Sequence, residues 1–272
     1  MLKKTYQKIN FWKITSFEKF GVKALFFQRK GGFSNSPYNT LNLGLNTKDE
    51  SENIRKNREK ILEIIEPYSY LPVCANQIHE NNIKIISSRH AGQGWQEYST
   101  AIPNTDGLIT SMPGLPLAIT VADCLPVLIA DEAGKVVAAI HAGWRGLVKK
   151  IISKAIKKIK EEFDISSNSL KVALGPAIGP KAFKINGDTL ACLSNLDPKA
   201  VCEIGLATHK GFDLWQAAQN ELITQGIKKN KITIIRECTF SHAKEYFSFR
   251  RDGETGRMLG IIQILPHIKL GL

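Results

Sequence analysis

No C-x-x-C pair occurs anywhere in this 272-residue chain, which excludes a zinc ribbon. Its five cysteines, Cys74, Cys124, Cys192, Cys202 and Cys238, are odd in number and widely spaced. That argues against a disulfide framework and fits a reducing compartment. No apolar run approaches the roughly 20 residues that span a bilayer. The opening M-L-K-K-T-Y-Q-K-I-N-F-W-K-I is basic but lacks an apolar h-region and a small-residue cleavage site. A soluble, cytoplasmic protein is expected. A P-loop, a G-x-G-x-x-G turn, a G-x-S-x-G elbow and an H-E-x-x-H helix are all missing, so the common nucleotide-binding, serine-hydrolase and metalloprotease motifs are excluded.

Arginine is scarce beside lysine in a chain of net charge +12. The densest cluster, Lys149, Lys150, Lys154, Lys157, Lys158 and Lys160, shares a segment with Leu147, Ile151, Ile152, Ala155, Ile156, Ile159 and Phe163 at helical spacing. A solvated helix face accounts for it; attraction for phosphates or nucleic acid is the functional alternative.

The apolar content, 43%, is that of a globular protein with a sizeable core. Residues 24–28 read as a strand running into the turn 29–32, and 33–47 as an ordered loop rich in Asn, Ser and Gly. Ile54, Ile61, Leu62 and Ile65 predict a helix over 50–66, stopped by Pro67. Short apolar runs predict strands at 84–86, 107–110, 117–121, 127–131, 136–141, 170–174, 232–235, 246–249 and 258–265. Helices are expected over 144–163 and 213–226, the latter with Asp213 as N-cap and Gly226 as stop. Strands and helices without strict alternation give an α/β class: a single-domain α/β sandwich with a mixed sheet, covering 1–272.

Three residues stand out for chemistry: His79 in Q-I-H-E, Cys124 in T-V-A-D-C-L-P and His141 in I-H-A-G-W-R-G. Two imidazoles and a thiolate supply three corners of a tetrahedral zinc site, and a fourth left open makes such a site catalytic. His141 ends an apolar strand and precedes a helix start, a place suited to anions, with Arg145 as an adjacent cation. Asp123 is open between a carboxylate that orients a ligating histidine and a turn residue. His90, His209, His242 and His267 have no comparable setting.

These contexts combine into a more specific pattern. The chain resembles the YfiH family, also called the multicopper polyphenol oxidoreductase or laccase-domain family. The matching segments run nearly end to end: R-K-G-G-F-S-N-S-P-Y-N-T-L-N-L-G (29–44), Q-I-H (77–79), N-T-D-G-L-I-T (104–110), T-V-A-D-C-L-P-V-L (120–128), H-A-G-W-R-G (141–146), L-G-P-A-I-G-P (174–180), D-L-W (213–215) and F-S-F-R-R-D-G-E-T-G-R-M (247–258). The resemblance implies a compact α/β sandwich with His79, Cys124 and His141 as its metal-binding catalytic centre. It also implies phosphorolysis of adenosine, inosine, guanosine and methylthioadenosine, with adenosine deamination. Copper-linked phenol oxidation and editing of peptidoglycan precursors are further activities ascribed to members. Two positions depart from the pattern: Glu80 where glycine is frequent, adding a carboxylate beside the proposed metal, and Ala218 where asparagine is usual.

The leading expectation is a purine nucleoside phosphorylase with deaminase activity, using zinc, with copper as the alternative metal. Asp123 is the first candidate proton shuttle and Glu80 the second. Arg29 and Arg145 are the candidate phosphate-holding cations. Arg250, Arg251 and Arg257 are open between that role and surface ion pairs. One rival is a cysteine hydrolase or amidase, with Cys124 as nucleophile, His141 as base and Asp123 or His79 as orienting group. A copper oxidase fits poorly, because six histidines are too few for a multicopper set. A nucleic-acid-binding protein acting through the lysine-rich helix is the rival from another class. The expected partners are a nucleoside and phosphate, not a membrane.

Overall fold

A computed structural model describes residues 1–204 and 209–266; His267 lies outside the described residues. In chain order the first part holds β1 (Leu2–Tyr6), β2 (Ile9–Lys13), β3 (Val22–Phe27), α1 (Ser51–Ile65), β4 (Val73–Cys74), β5 (Ile83–Ile85), β6 (Gly107–Thr110) and β7 (Leu117–Val121). The middle holds β8 (Leu125–Asp131), β9 (Val137–Ala142), α2 (Trp144–Val148), α3 (Ile151–Phe163) and β10 (Leu170–Leu174). The last part holds β11 (Lys184–Ile185), α4 (Gly187–Leu196), β12 (Val201–Ile204), β13 (His209–Phe212), α5 (Leu214–Thr224), β14 (Ile232–Ile234), α6 (Phe249–Asp252) and β15 (Met258–Ile264). No described helix is long and apolar enough to cross a membrane.

Two six-stranded mixed sheets face each other, in the orders β1-β2-β3-β15-β7-β4 and β14-β10-β8-β9-β6-β5. A small third sheet, β11-β13-β12, stands apart. Alternation within strands fixes the layers. Ala24 and Phe26 of β3, Leu117 and Ile119 of β7, Leu128 and Ala130 of β8, and Val137 and Ala139 of β9 fill the space between the sheets. The alternate residues of β3, Leu25 and Phe27, pack outward with α1 through Ile61 and Ile65. Those of the second sheet, Val127, Ile129, Ala138 and Ile140, pack outward against α3 and α5 through Ile152, Ile156 and Leu222. Both faces of the central strands are thus covered, which is why they read as continuous apolar runs.

Two expected elements differ. The helix over 144–163 is broken into α2 and α3, because Lys150 adopts a left-handed φ of 59°. The new start is capped from α5: Glu221 Oε1 accepts from Ser153 N at 2.8 Å and from its Oγ at 2.7 Å. The residues 246–249 do not form a strand. Tyr246 is held by its side chain instead, its hydroxyl accepting from Trp12 Nε1 at 3.0 Å and Gln28 Nε2 at 2.9 Å while donating to Glu237. Ser248 then caps α6, accepting from Arg251 N. The terminal hairpin β1–β2, α4 and the small sheet carried no clear sequence signal. The loop 33–47 was legible as ordered, and Asn57 is the reason: its amide donates to Ser34 Oγ, Thr40 O and Asn42 O and accepts from Phe33 N.

Candidate metal centre

The chain changes sheets three times, and two of these crossings meet at one end of the sandwich. It leaves β4 in the first sheet and enters β5 in the second through Gln77–Asn82. It returns from β6 to β7 at the far end, and β7 crosses back to β8 through Ala122–Cys124 at the same end as the first crossover. The β8–β9 ladder pairs Leu125 with Ala142 and Pro126 with His141, so Cys124 emerges beside the end of β9. His79 arrives on the first crossover. The donor atoms of His79, Cys124 and His141 all lie within 4.8 Å of one another. The two imidazoles stand edge to face, centroids 4.8 Å apart.

Both strained residues at the site are held from outside. His79 has φ 62° and Asp123 has φ 95°, a region costly for residues with side chains. The His79 turn is secured by Asp106, a fully buried carboxylate that accepts from Ile78 N at 3.2 Å, His79 N at 2.9 Å and Glu80 N at 2.9 Å. Gln77 fixes the same turn to β7: its Oε1 accepts from Thr120 N and Oγ1, and its Nε2 donates to Thr120 O. The Asp123 bend is secured by Thr239 Oγ1 and Arg250 N, each donating to its carboxylate at 2.6 Å.

Asp106 also receives a hydrogen bond from His141 Nδ1 at 2.8 Å. The bond fixes the ring and leaves Nε2 for the centre, as a metal-ligating histidine requires. The acceptor that orients His141 is therefore Asp106 and not Asp123, which faces Thr239. Sequence reasoning missed it, although N-T-D-G places an acid at the start of β6, opposite the end of β9.

Gly143 closes the floor. A Cβ there would stand 3.1 Å from Cys124 Sγ, 3.3 Å from His79 Cδ2 and 3.8 Å from His141 Cε1, crowding all three side chains. Tetrahedral zinc at bond lengths of about 2.0–2.3 Å needs such a gap, and the set of two imidazoles, one thiolate and an anchoring carboxylate fits it. These residues can hold a metal.

The electrostatics agree. Burial pushes the Cys124 thiol up, but the charges and hydrogen bonds of His141 and His79 outweigh it and hold the group below the ordinary thiol range. Burial opposes protonation of His141, yet the Cys124 thiolate and Asp106 together raise it. Asp106 feels burial upward and, more strongly in sum, His141 and the backbone N–H groups downward.

The centre opens into a cavity of about 430 Å³. Among the described residues Asp123 is the one carboxylate in its lining, and Arg145, Arg250 and Arg257 are its cations, with Phe183, Leu214 and Phe249 forming an apolar side. Arg145 is exposed and stacks 4.4 Å over the Trp144 ring. Arg29 is absent from the lining. Its guanidinium donates to Asn39 O and Ala243 O and lies 4.5 Å over Phe247, so it ties loops together elsewhere. Glu80 is absent too: its carboxylate pairs with Lys149 Nζ at 2.5 Å, turned toward the end of α2. Of the three late arginines, Arg251 pairs with Asp252, whereas Arg250 and Arg257 reach the cavity. Ala218 is fully buried in the α5 core and is not among the residues lining the cavity. The lysine cluster is partly neutralised, with Lys149 on Glu80, Lys157 on Glu161 and Lys158 on Glu162. A larger depression of about 590 Å³ between α3 and α5 shares no residue with this cavity.

The chain is similar over most of its length to characterised and solved proteins. It is 30% identical over 254 residues to the purine nucleoside phosphorylase YlmD of Bacillus subtilis, covering 92% of this chain and 91% of that one. It is 32% identical over 247 residues to the purine nucleoside phosphorylase YfiH of Escherichia coli, covering 90% and 95%. The crystal structure of the hypothetical protein YfiH of Bacillus licheniformis superposes with a TM-score of 0.90 at 29% identity, covering 97% of this chain and 99% of that one. That of YlmD from Geobacillus stearothermophilus gives 0.89 at 29% identity, covering 97% and 98%. The family model described as multi-copper polyphenol oxidoreductase laccase matches residues 23–265, and the chain belongs to this YfiH, or laccase-domain, family.

Proposed function

We propose that this protein is a purine nucleoside phosphorylase acting on adenosine, inosine, guanosine and S-methyl-5'-thioadenosine, with adenosine deaminase activity at the same centre. The observation that carries the reading is the meeting of His79, Cys124 and His141 at the floor of one cavity whose wall combines arginines, a single carboxylate and an apolar side. Zinc is the metal proposed for the three donors, and when bound it supplies a Lewis acid at the cavity floor. The apolar side takes the purine ring. Arg145 contributes positive charge for phosphate. Asp123, the carboxylate of the lining among the described residues, is the proposed proton shuttle. Relatives that carry the name purine nucleoside phosphorylase over nine-tenths of this chain support the assignment.

The test is a product assay on metal-analysed protein given adenosine and phosphate, with adenine, inosine and hypoxanthine separated by chromatography. Phosphate-dependent release of adenine, lost in Cys124→Ala and His141→Ala, is the expected result. Inosine alone would move the weight to deamination, and no turnover by metal-loaded protein would overturn the purine reading.

One observation favours a second reading. Cys124, His141 and Asp106 form a thiol, imidazole and carboxylate series, the arrangement of a cysteine hydrolase. Activity on amide substrates that survives chelation and is lost on thiol alkylation would favour it.

A further inference from the structure

Arg257 is a cavity cation with a fixed backbone and stem and a free donor edge, whereas among the described residues the exposed Arg145 side chain is held only by stacking on Trp144. The Arg257 backbone is fixed on both sides, N donating to Asn42 Oδ1 at 2.8 Å and O accepting from Leu43 N at 2.9 Å. Its stem passes over Gly44, where a Cβ would stand 2.5 Å from Arg257 Cγ, so glycine at 44 is what admits it. The half-buried guanidinium uses Nη1 alone, donating to Thr255 O at 2.7 Å and Gly256 O at 3.1 Å. Among the described residues no carboxylate lies within ion-pair distance of it, and Nε and Nη2 have no protein acceptor.

Other arginines are spent differently. Arg236 and Arg251 pair with Asp213 and Asp252, and the buried Arg58 donates to Leu43 O, Gly94 O and Trp95 O. A half-buried cation with an unused donor edge is costly unless something occupies that edge. Nε and Nη2 form the side-on fork that matches two oxygens of a tetrahedral oxyanion.

We propose that Arg257, rather than Arg29 or Arg145, is the principal binding residue for the oxyanion co-substrate, taking inorganic phosphate through Nε and Nη2. The proposal rests on the phosphorylase reading. In the reaction a phosphate oxygen forms a bond to C1′ as the C1′–N9 bond breaks. The electron pair passes to N9, and a proton reaches the base from Asp123 or solvent, giving ribose 1-phosphate and free purine. The fork holds the nucleophile's other oxygens and balances its charge.

The test is steady-state kinetics with phosphate and inosine varied in turn, on full-length protein of measured metal content, for wild type, Arg257→Lys, Arg257→Met and Arg145→Met. Phosphate binding is followed in parallel by 31P NMR. A lost charge-assisted pair predicts a phosphate KM raised at least about tenfold in Arg257→Met, with weaker 31P binding and an inosine KM changed less than about threefold. Arg145→Met is expected to move phosphate KM less. Arg257→Lys keeps the packed stem and so reports the fork alone if the methionine variant fails to fold. Phosphate KM and binding unchanged in both Arg257 variants would overturn the proposal. So would Arg257-dependent binding of adenosine 5′-monophosphate without any of orthophosphate, which would assign the edge to a nucleotide phosphate. Wild type that binds phosphate through Arg257 yet releases no base would sink the phosphorylase reading and leave the binding assignment standing.

Discussion

Asp106 Oδ1 lies 2.8 Å from His141 Nδ1, and the same buried carboxylate collects the backbone N–H groups of Ile78, His79 and Glu80. One side chain therefore orients one candidate ligand and shapes the turn that carries another. Asp106→Asn keeps the size but places an amide NH₂ among donors. Leaving such donors unpaired costs about 1–3 kcal/mol each, and lost orientation costs about 10–100-fold in metal affinity. Competition with a chromophoric chelator should show zinc held at least about tenfold more weakly. Affinity within about twofold of wild type would contradict this role.

The same carboxylate makes a pH prediction for the metal-free protein. Its pKa in the fold is depressed, chiefly because His141 and the backbone donors outweigh burial. A depressed acid stabilises fully above its unfolded value, about 3.9, and loses that contribution as pH falls through the folded value. The stability gap between wild type and Asp106→Asn should thus be widest above about pH 4 and narrow on acidification below it. Urea melts at a series of pH values would measure it, and a gap that widens toward low pH would refute the sign.

Gly143 offers a test of the floor. Its φ of −70° suits any residue, so alanine brings no backbone strain, yet its Cβ would meet Cys124 Sγ at 3.1 Å and His79 Cδ2 at 3.3 Å. Gly143→Ala is expected to change stability by less than about 1 kcal/mol while sharply lowering zinc affinity and turnover. A variant with full zinc occupancy and wild-type rates would show that the donors do not close around that space.

The candidate site was legible from short sequence contexts that bring two imidazoles and a thiol to the ends of apolar segments. His79, Cys124 and His141 each interrupt an apolar or strand-like context, and the structure joins them. What was illegible depended on pairing. Asp106 gains its role only through the β6–β9 register, which sets Gly107 opposite Ile140. Arg29 sits in a conspicuous R-K-G-G turn, but its guanidinium is consumed by Asn39 and Ala243 carbonyls. Arg257 stood with Arg250 and Arg251, open between phosphate holding and surface ion pairs, until Gly44 and Asn42 fixed it in the wall. In the fold, continuous apolar strands announced themselves, whereas the α2–α3 break depends on Glu221, 68 residues away, capping Ser153.

Arg29 accordingly has a separable prediction. Arg29→Met removes charge-assisted bonds to Asn39 O and Ala243 O and the contact with Phe247. Stability should fall by about 1–3 kcal/mol in urea melts. KM for phosphate and nucleoside should stay within about twofold, since each 1.4 kcal/mol of lost binding would be tenfold. A rise in phosphate KM without loss of stability would return Arg29 to the binding site.

Cys124 gives the most direct reading of the electrostatics. Burial favours the neutral thiol, but His141 and His79 stabilise the thiolate more, bringing its pKa down to about 6 in the metal-free site. The thiolate is the form that reacts with iodoacetamide, and an ordinary cysteine reaches half-ionisation only near about 8.5. Labelling of Cys124 in chelator-treated protein, followed by peptide mass spectrometry, should reach half its maximal rate near pH 6 rather than in the ordinary range. His141→Ala removes the principal favourable charge and should move that midpoint upward by at least about one unit. Zinc should suppress the labelling at every pH, because a ligated sulfur is unavailable as a nucleophile. A midpoint unchanged by His141→Ala would mean that the imidazole does not hold the thiolate. Labelling unaffected by zinc would mean that Cys124 is not a ligand, which would strengthen the cysteine-hydrolase reading.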